Sequence, residues 1–352
     1  MTSQENDEQQ VLFEVWGALG RITLNRPKAL NSLTYDMVRA VLTALDQWRT
    51  DDRVRAVLIE GAGDRGLCAG GDIRAMYDAI KEGEPELTET FWAAEYRMND
   101  ALARYPKPVV GIMDGICMGG GVGISAHGSH RVVTERSKVG MPEVGIGFVP
   151  DVGGTYLLSR TPGELGTHMA LTGGPVSGAD AVHCGLADHY VASGDLEELI
   201  AALGAGDVEA ALEKYSTTPP RSELGEAREW IDQVYGRDSV EEILEGLRAR
   251  PESAAQEAAR TIATKSPTSL KVTLRALRAA RELDSLEEVL DQEYRVSLSC
   301  THLGDFVEGV RATLVDKDRD PSWSPARLED VDEQRVAAFF ARPTGGDLGL
   351  SG

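Results

Sequence analysis

Two glycine-rich junctions constrain this chain most. Leu67-Cys68-Ala69-Gly70-Gly71-Asp72 and, about fifty residues later, Met118-Gly119-Gly120-Gly121 each stand between a strand-like run and a helix-like run. Strands alternating with helices in this way predict an α/β layout. The neighbouring pattern agrees. Val11–Trp16 and Ala18–Leu24 read as two strands about a turn at Gly17. Thr34 can cap a helix reaching about Trp48, with Met37, Val38, Val41, Leu42 and Leu45 on one face. Val54–Glu60, Val109–Met113, Arg131–Thr134 and Ser137–Gly140 read as short strands. Asp72–Lys81 and Thr88–Tyr105 read as helices, the second ended by Pro106 and Pro108.

From about Leu196 the pattern turns helical and strongly charged. Ser239-x-x-Glu242 has capping-box spacing, and Pro251, Pro267, Asp284 and Thr301 mark further helix starts. Thr217–Pro220 reads as a linker. The expected division is a disordered tail over 1–10, a core with the active site over 11–200, a helical region over 201–340 and a loose, glycine-bearing tail over 341–352.

Charge and composition exclude several functions. The net charge of −21 argues against nucleic acid, which needs a basic footprint. One small phosphorylated molecule is still allowed, since a few cations and backbone N–H groups suffice for it. No apolar run approaches the roughly 18 residues of a membrane span. The four cysteines, Cys68, Cys117, Cys184 and Cys300, are far apart and form no metal-binding spacing with histidine. No metal is expected, and a reducing compartment is. Met1–Gln10 is acidic, with neither an apolar stretch nor arginine, so a cytoplasmic location is expected.

The glycine junctions carry chemistry as well as shape. The first N–H groups of a helix lack internal partners and sit at the positive end of its dipole. Two such groups from separate loops, aimed at one point, make an oxyanion hole. Taken singly, each junction also reads as an ordinary tight turn. A third segment adds acids: Met141-Pro142-Glu143-Val144-Gly145-Ile146-Gly147-Phe148-Val149-Pro150-Asp151-Val152-Gly153-Gly154. Glu143 and Asp151 lie among apolar and glycine residues, where desolvation raises a carboxyl pKa toward the useful range. Asp151 is equally a candidate helix cap.

Together these segments resemble the crotonase (enoyl-CoA hydratase/isomerase) superfamily, beginning at Leu24-Asn25-Arg26-Pro27-Lys28-Ala29-Leu30-Asn31. Asp305-Phe306-Val307-Glu308-Gly309-Val310-Arg311-Ala312 and Pro321-Ser322-Trp323-Ser324-Pro325 are similar to its 3-hydroxyisobutyryl-CoA hydrolase branch, which acts in valine breakdown. The resemblance spans about residues 11 to 335. It implies a ββα spiral core with a helical C-terminal region closing over an acyl pocket. It implies that Gly71 and Gly120 donate the oxyanion-hole N–H groups, that Glu143 and Asp151 are catalytic, and that Glu95 and Asp72 contact the substrate. Arg26, Lys28 and Arg74 are the candidate cations for coenzyme A phosphates. Hydratases of the family carry a second glutamate where this chain has Gly123, which favours thioester hydrolysis over hydration. An isomerase working with Glu143 alone and a non-catalytic acyl-CoA-binding subunit are the rival readings. Coenzyme A enters as part of the substrate, so no separate cofactor is implied. The family commonly forms trimers, which makes a homo-oligomer a further expectation.

Overall fold

The computed structural model describes residues 9–302 and 305–350. The expected disordered segment Met1–Gln10 lies outside the described residues as far as Glu8. Gln9 and Gln10 are tied down. The Gln9 carbonyl accepts from Asn25 Nδ2 and the Gln10 side chain accepts from Thr34 Oγ1, each at 2.9 Å.

The strands are β1 (Val11–Trp16), β2 (Leu19–Leu24), β3 (Ala56–Gly61), β4 (Gly66–Cys68), β5 (Val109–Met113), β6 (Ile116–Met118), β7 (His130–Val133), β8 (Lys138–Gly140), β9 (Val176–Ser177) and β10 (His189–Tyr190). Among the described residues they form two sheets. The larger has six strands in the order β1-β2-β3-β5-β7-β10, parallel except between β1 and β2. The smaller has four in the order β4-β6-β8-β9, parallel except between β8 and β9. The chain alternates between them: β3, β5 and β7 enter the large sheet, and β4, β6 and β8 follow in the small one. This is a ββα spiral, as the resemblance implied. β6, β9 and β10 were not read from the sequence, being only two or three residues long.

The alternation positions the site. Cys68 lies opposite Cys117, and Met118 opposite Gly140, on the parallel strands β4, β6 and β8. Neighbouring strands sit about 4.8 Å apart, so three adjacent strand ends fall within roughly 10 Å. The chain leaves those ends into Ala69–Gly71, Gly119–Gly120 and Met141–Glu143. Three segments remote in sequence therefore meet at one edge.

The inner strands β3 and β5 are apolar on both faces because both faces are covered. Val57 and Ile59 of β3 join the main core, beneath the helix Tyr35–Arg49. Thr34 caps that helix, accepting from the Met37 N–H at 3.2 Å, and its buried face carries Met37, Val38, Val41 and Leu45. Ala56 and Leu58 face a second cluster with Leu199, Leu203 and Leu212. Those residues belong to the helices Leu196–Gly204 and Val208–Tyr215, which thus cover the back of the large sheet.

The rest of the C-terminal half is helical, with two corrections. Thr301 starts no helix; it lies in the last turn of Leu286–His302. The segment after Pro343 is docked rather than loose as far as it is described. Asp347 pairs with Arg295 at 2.6 Å, the Gly349 N–H donates to Asp291 Oδ1 at 3.2 Å, and Leu348 is buried. Among smaller shifts, the helix read from Thr88 begins at Pro85, a residue suited to a first helical position.

Leu58→Ala should cost about 2–5 kcal/mol of stability, read as a lower urea midpoint, because it empties the layer between β3 and its two covering helices. A cost under about 0.5 kcal/mol, the range of exposed positions, would refute that placement.

Candidate active site

Backbone hydrogen bonds on either side hold Gly71 in place. The Leu33 N–H donates to the Gly70 carbonyl and the Asp72 N–H to the Leu33 carbonyl, both at 2.8 Å. The Gly71 N–H has no acceptor among the described residues. Gly120 is the first residue of the helix Gly120–Ala126, so its N–H has no partner within that helix. A Cβ built on Gly120 would lie 3.2 Å from the Gly71 nitrogen, which makes the two amides neighbours. The same Cβ would lie 2.5 Å from Glu95 Oε1, and a Cβ on Gly119 would lie 2.7 Å from Glu143 Oε1. Glycine here lets carboxylates approach the backbone.

Glu95, Glu143 and Asp151 are only 2%, 6% and 5% exposed. They line one cavity of about 390 Å³ together with Gly71 and Gly120. Each comes from a different element. Glu95 lies in the helix Pro85–Ala103, Glu143 opens a short 3₁₀ turn after β8, and Asp151 lies in the loop before the helix Gly154–Ser159. The 3₁₀ turn is clamped from the C-terminal half. Gly147 abuts the Asp305 backbone, and Gly309 abuts the Ile146 backbone. Trp92 and Phe148 stack at 5.1 Å between ring centres and give the cavity an apolar wall.

Dry surroundings set the protonation of these acids. Burial pushes Glu143 well above the usual carboxylate range, and the nearby Asp151 adds to the shift. Burial and Asp151 act on Glu95 in the same direction. Burial raises Asp151 to about 7, against the opposing hydrogen bond from Tyr96. Glu95 Oε1 and Glu143 Oε2 have no hydrogen-bond partner among the described residues. The cavity therefore holds acids whose pKa values lie above the usual carboxylate range, beside two amide donors.

Sequence reading missed the supports of Asp151. The Tyr96 hydroxyl donates to Asp151 Oδ2 at 2.7 Å, and Ser297 Oγ lies 2.7 Å from that hydroxyl. Glu293 is buried and accepts from the Gly153 and Thr155 N–H groups. Tyr96 is adjacent to a nominated residue, but Ser297 and Glu293 lie about 140 residues beyond Asp151, outside any local motif.

The other nominated residues sit elsewhere. Asp72 caps the helix Ile73–Glu82 and pairs with Arg26 at 2.9 Å. Arg26 also donates to the Ser32 carbonyl at 2.7 Å, so these two fasten the first junction rather than line the cavity. Arg74 pairs with Asp78, and Lys28 is exposed. Of the region from 201 to 340, the described residues on the cavity wall are Lys265, Thr313 and Leu314. Burial raises the thiols of Cys68 and Cys117, which suits packing and not reactivity.

A family profile described as Enoyl-CoA hydratase/isomerase matches residues 19–340. The chain belongs to the enoyl-CoA hydratase/isomerase family. One relative is the mitochondrial 3-hydroxyisobutyryl-CoA hydrolase of Danio rerio, 43% identical over 99% of this chain and 94% of that protein. The Homo sapiens protein of the same name is 41% identical over 99% of this chain and 92% of its own length. Solved structures of the family superpose closely. A carnitinyl-CoA dehydratase from Mycobacterium thermoresistibile has a TM-score of 0.94 at 53% identity, covering 98% of this chain and 99% of that one. An enoyl-CoA hydratase from Rhodobacter sphaeroides 2.4.1 has a TM-score of 0.91 at 41% identity, covering 96% and 98%.

Against this family background, Gly123 has a physical explanation. A Cβ there would lie 2.6 Å from Val152 Cβ and 2.9 Å from Asn99 Nδ2. The side chain of Val152, next to Asp151, fills the space that a glutamate would need. Gly123→Glu should therefore lose at least about 1–3 kcal/mol of stability by overpacking and should not hydrate crotonyl-CoA. Hydration by a variant of unchanged melting temperature would overturn this account.

Proposed function

We propose that this chain is a 3-hydroxyisobutyryl-CoA hydrolase, with Glu143 and Asp151 as its catalytic acids. The observation that carries the reading is one largely apolar cavity that joins both acids to the Gly71 and Gly120 amides, while Val152 fills the place of a second hydratase glutamate. The relatives that bear this name match the chain over nearly its whole length.

The chemistry follows from the placement. The thioester oxygen sits between the Gly71 and Gly120 N–H groups. Attack on the carbonyl carbon puts negative charge on that oxygen, and each well-placed donor then lowers the barrier by about 3–4 kcal/mol. Glu143, its Oε2 without a hydrogen-bond partner among the described residues, takes the proton of a water as the water oxygen bonds to carbon. The C–S bond then breaks, and the thiolate leaves with a proton as free coenzyme A. In the alternative route Glu143 itself bonds to the carbonyl carbon, and water cleaves the resulting anhydride. Asp151, held by Tyr96, and Glu95 supply acceptors for the 3-hydroxyl and the water. The exposed Lys28 and Arg74 are the sequence-nominated cations within reach of solvent for coenzyme A phosphates.

A dehydratase reading is favoured by one observation, the 53% identity to the carnitinyl-CoA dehydratase of Mycobacterium thermoresistibile. The same amides would stabilise an enolate. Two signals separate the readings in purified protein. Hydrolysis releases thiol from 3-hydroxyisobutyryl-CoA, whereas dehydration creates the absorbance of an unsaturated thioester and releases none. Thiol release should fall at least about 100-fold in Glu143→Gln. Full activity in that variant, or no release by the wild type, would sink the proposal.

The pH profile tests the coupling of the acids. The acid limb of kcat/KM should lie above the ordinary carboxylate range, because burial raises both acids, Asp151 to about 7. The charge of Asp151 raises Glu143 further, so Asp151→Asn should move the limb of the residual activity to lower pH. A limb that stays in place or moves upward would show that Glu143 does not feel that charge.

A further inference from the structure

Asp151 stands on a strained piece of chain. Val152, the next residue, has φ +54°, a left-handed conformation that is a clear outlier for a β-branched side chain. Such strain persists only where the surroundings impose it, and it tends to mark working parts of a site. Here several contacts impose it. The Val152 side chain is buried against Gly123. Its carbonyl lies 2.7 Å from His127 Nε2, which must be the donor in this pair. His127 is half-buried and its pKa is lowered to about 4 by desolvation, so the ring is neutral with its proton on that nitrogen.

The strongest restraint comes from the far end of the chain. Glu293 Oε2 accepts from the Gly153 N–H at 2.6 Å. Glu293 Oε1 accepts from the Thr155 N–H at 2.8 Å and from the Thr155 hydroxyl at 2.5 Å. No cation is bonded to Glu293 among the described residues, and it is 1% exposed. It is not among the residues lining the cavity, so it does not touch substrate there. A buried acid without a counter-ion is costly, and its three bonds all go to the two residues that follow Val152 by one and three positions.

We propose that Glu293 is a positioning residue for the reaction. Through its bonds to Gly153 and Thr155, and with His127 on the Val152 carbonyl, it holds the strained turn that aims Asp151 at the thioester. This inference rests on the hydrolase reading above and adds to it a part of the machinery drawn from the helix Leu286–His302. Glutamine cannot replace it, although it has the same shape. In either orientation of the amide its NH₂ group faces a backbone N–H that now points at an oxygen.

The test uses the full chain and steady-state thiol release from 3-hydroxyisobutyryl-CoA, with coenzyme A affinity measured by calorimetry. Glu293→Gln should reduce kcat at least tenfold, with KM and coenzyme A affinity changed less than threefold. Thr155→Val, a milder change that removes only the hydroxyl donor, should reduce kcat about threefold or more. Thr155→Ser, which restores the donor, should recover wild-type kcat. Wild-type kcat in Glu293→Gln would overturn the inference. So would a loss of coenzyme A affinity in step with kcat, which marks general damage to the pocket. If Glu293→Gln does not fold, the threonine pair decides: equal kcat in Thr155→Val and Thr155→Ser overturns the inference, and recovery by serine alone supports it. Should the wild type release no thiol, the hydrolase reading itself fails, which is a separate outcome from any of these.

Discussion

The site depends on the parallel pairing of three very short strands. β4, β6 and β8 have three residues each, and their backbone hydrogen bonds alone fix how far apart the following loops begin. That register brings the Gly71 and Gly120 amides side by side and sets Glu143 beside Gly119. Amide donors placed by strand pairing are already oriented before substrate arrives, so little reorganisation remains for the reaction. Side chains on flexible loops could not offer this without loss of precision.

The cavity is electrically unusual for so acidic a protein. Glu95, Glu143, Asp151 and Glu293 are buried close together, and no lysine or arginine forms an ion pair with any of them among the described residues. Their charges are managed by protonation, by hydroxyl donors such as Tyr96 and Thr155, and by backbone N–H groups. A cation paired directly with Glu143 would quench its basicity, and Lys265, on the same cavity wall, forms no such pair among the described residues. The arrangement holds the acids' pKa values above the usual carboxylate range at the cost of native stability.

What the sequence revealed follows physical range. The glycine junctions, the Thr34 cap and the alternation of strands and helices are local, and the structure places them where the residues predict. The acids of the third segment were legible because apolar neighbours and glycine surround them in sequence as well as in space. The cations were not. Arg26 looked free but is consumed by Asp72, a pairing that needs the first junction to be folded before it exists. Lys265 carries no motif and reaches the cavity wall only through helix packing. Glu293 lies in a helix rich in acidic residues, where nothing local separates a buried glutamate from its solvated neighbours. The docking of the last residues on Arg295 is likewise a contact between distant parts of the chain.

The clamp on the catalytic turns has a consequence for how the protein comes into being on the ribosome. Both glycine junctions and both strand layers are complete once about 190 residues have been made. The backbone of Asp305 against Gly147, and the side chain of Glu293 under Gly153, arrive more than a hundred residues later. A nascent chain can thus own the paired Gly71 and Gly120 amides while lacking the struts that shape the acid-bearing loops. Competence for chemistry arrives near the end of synthesis. By the same logic, fraying of the C-terminal helices would silence the mature protein well before its sheets come apart.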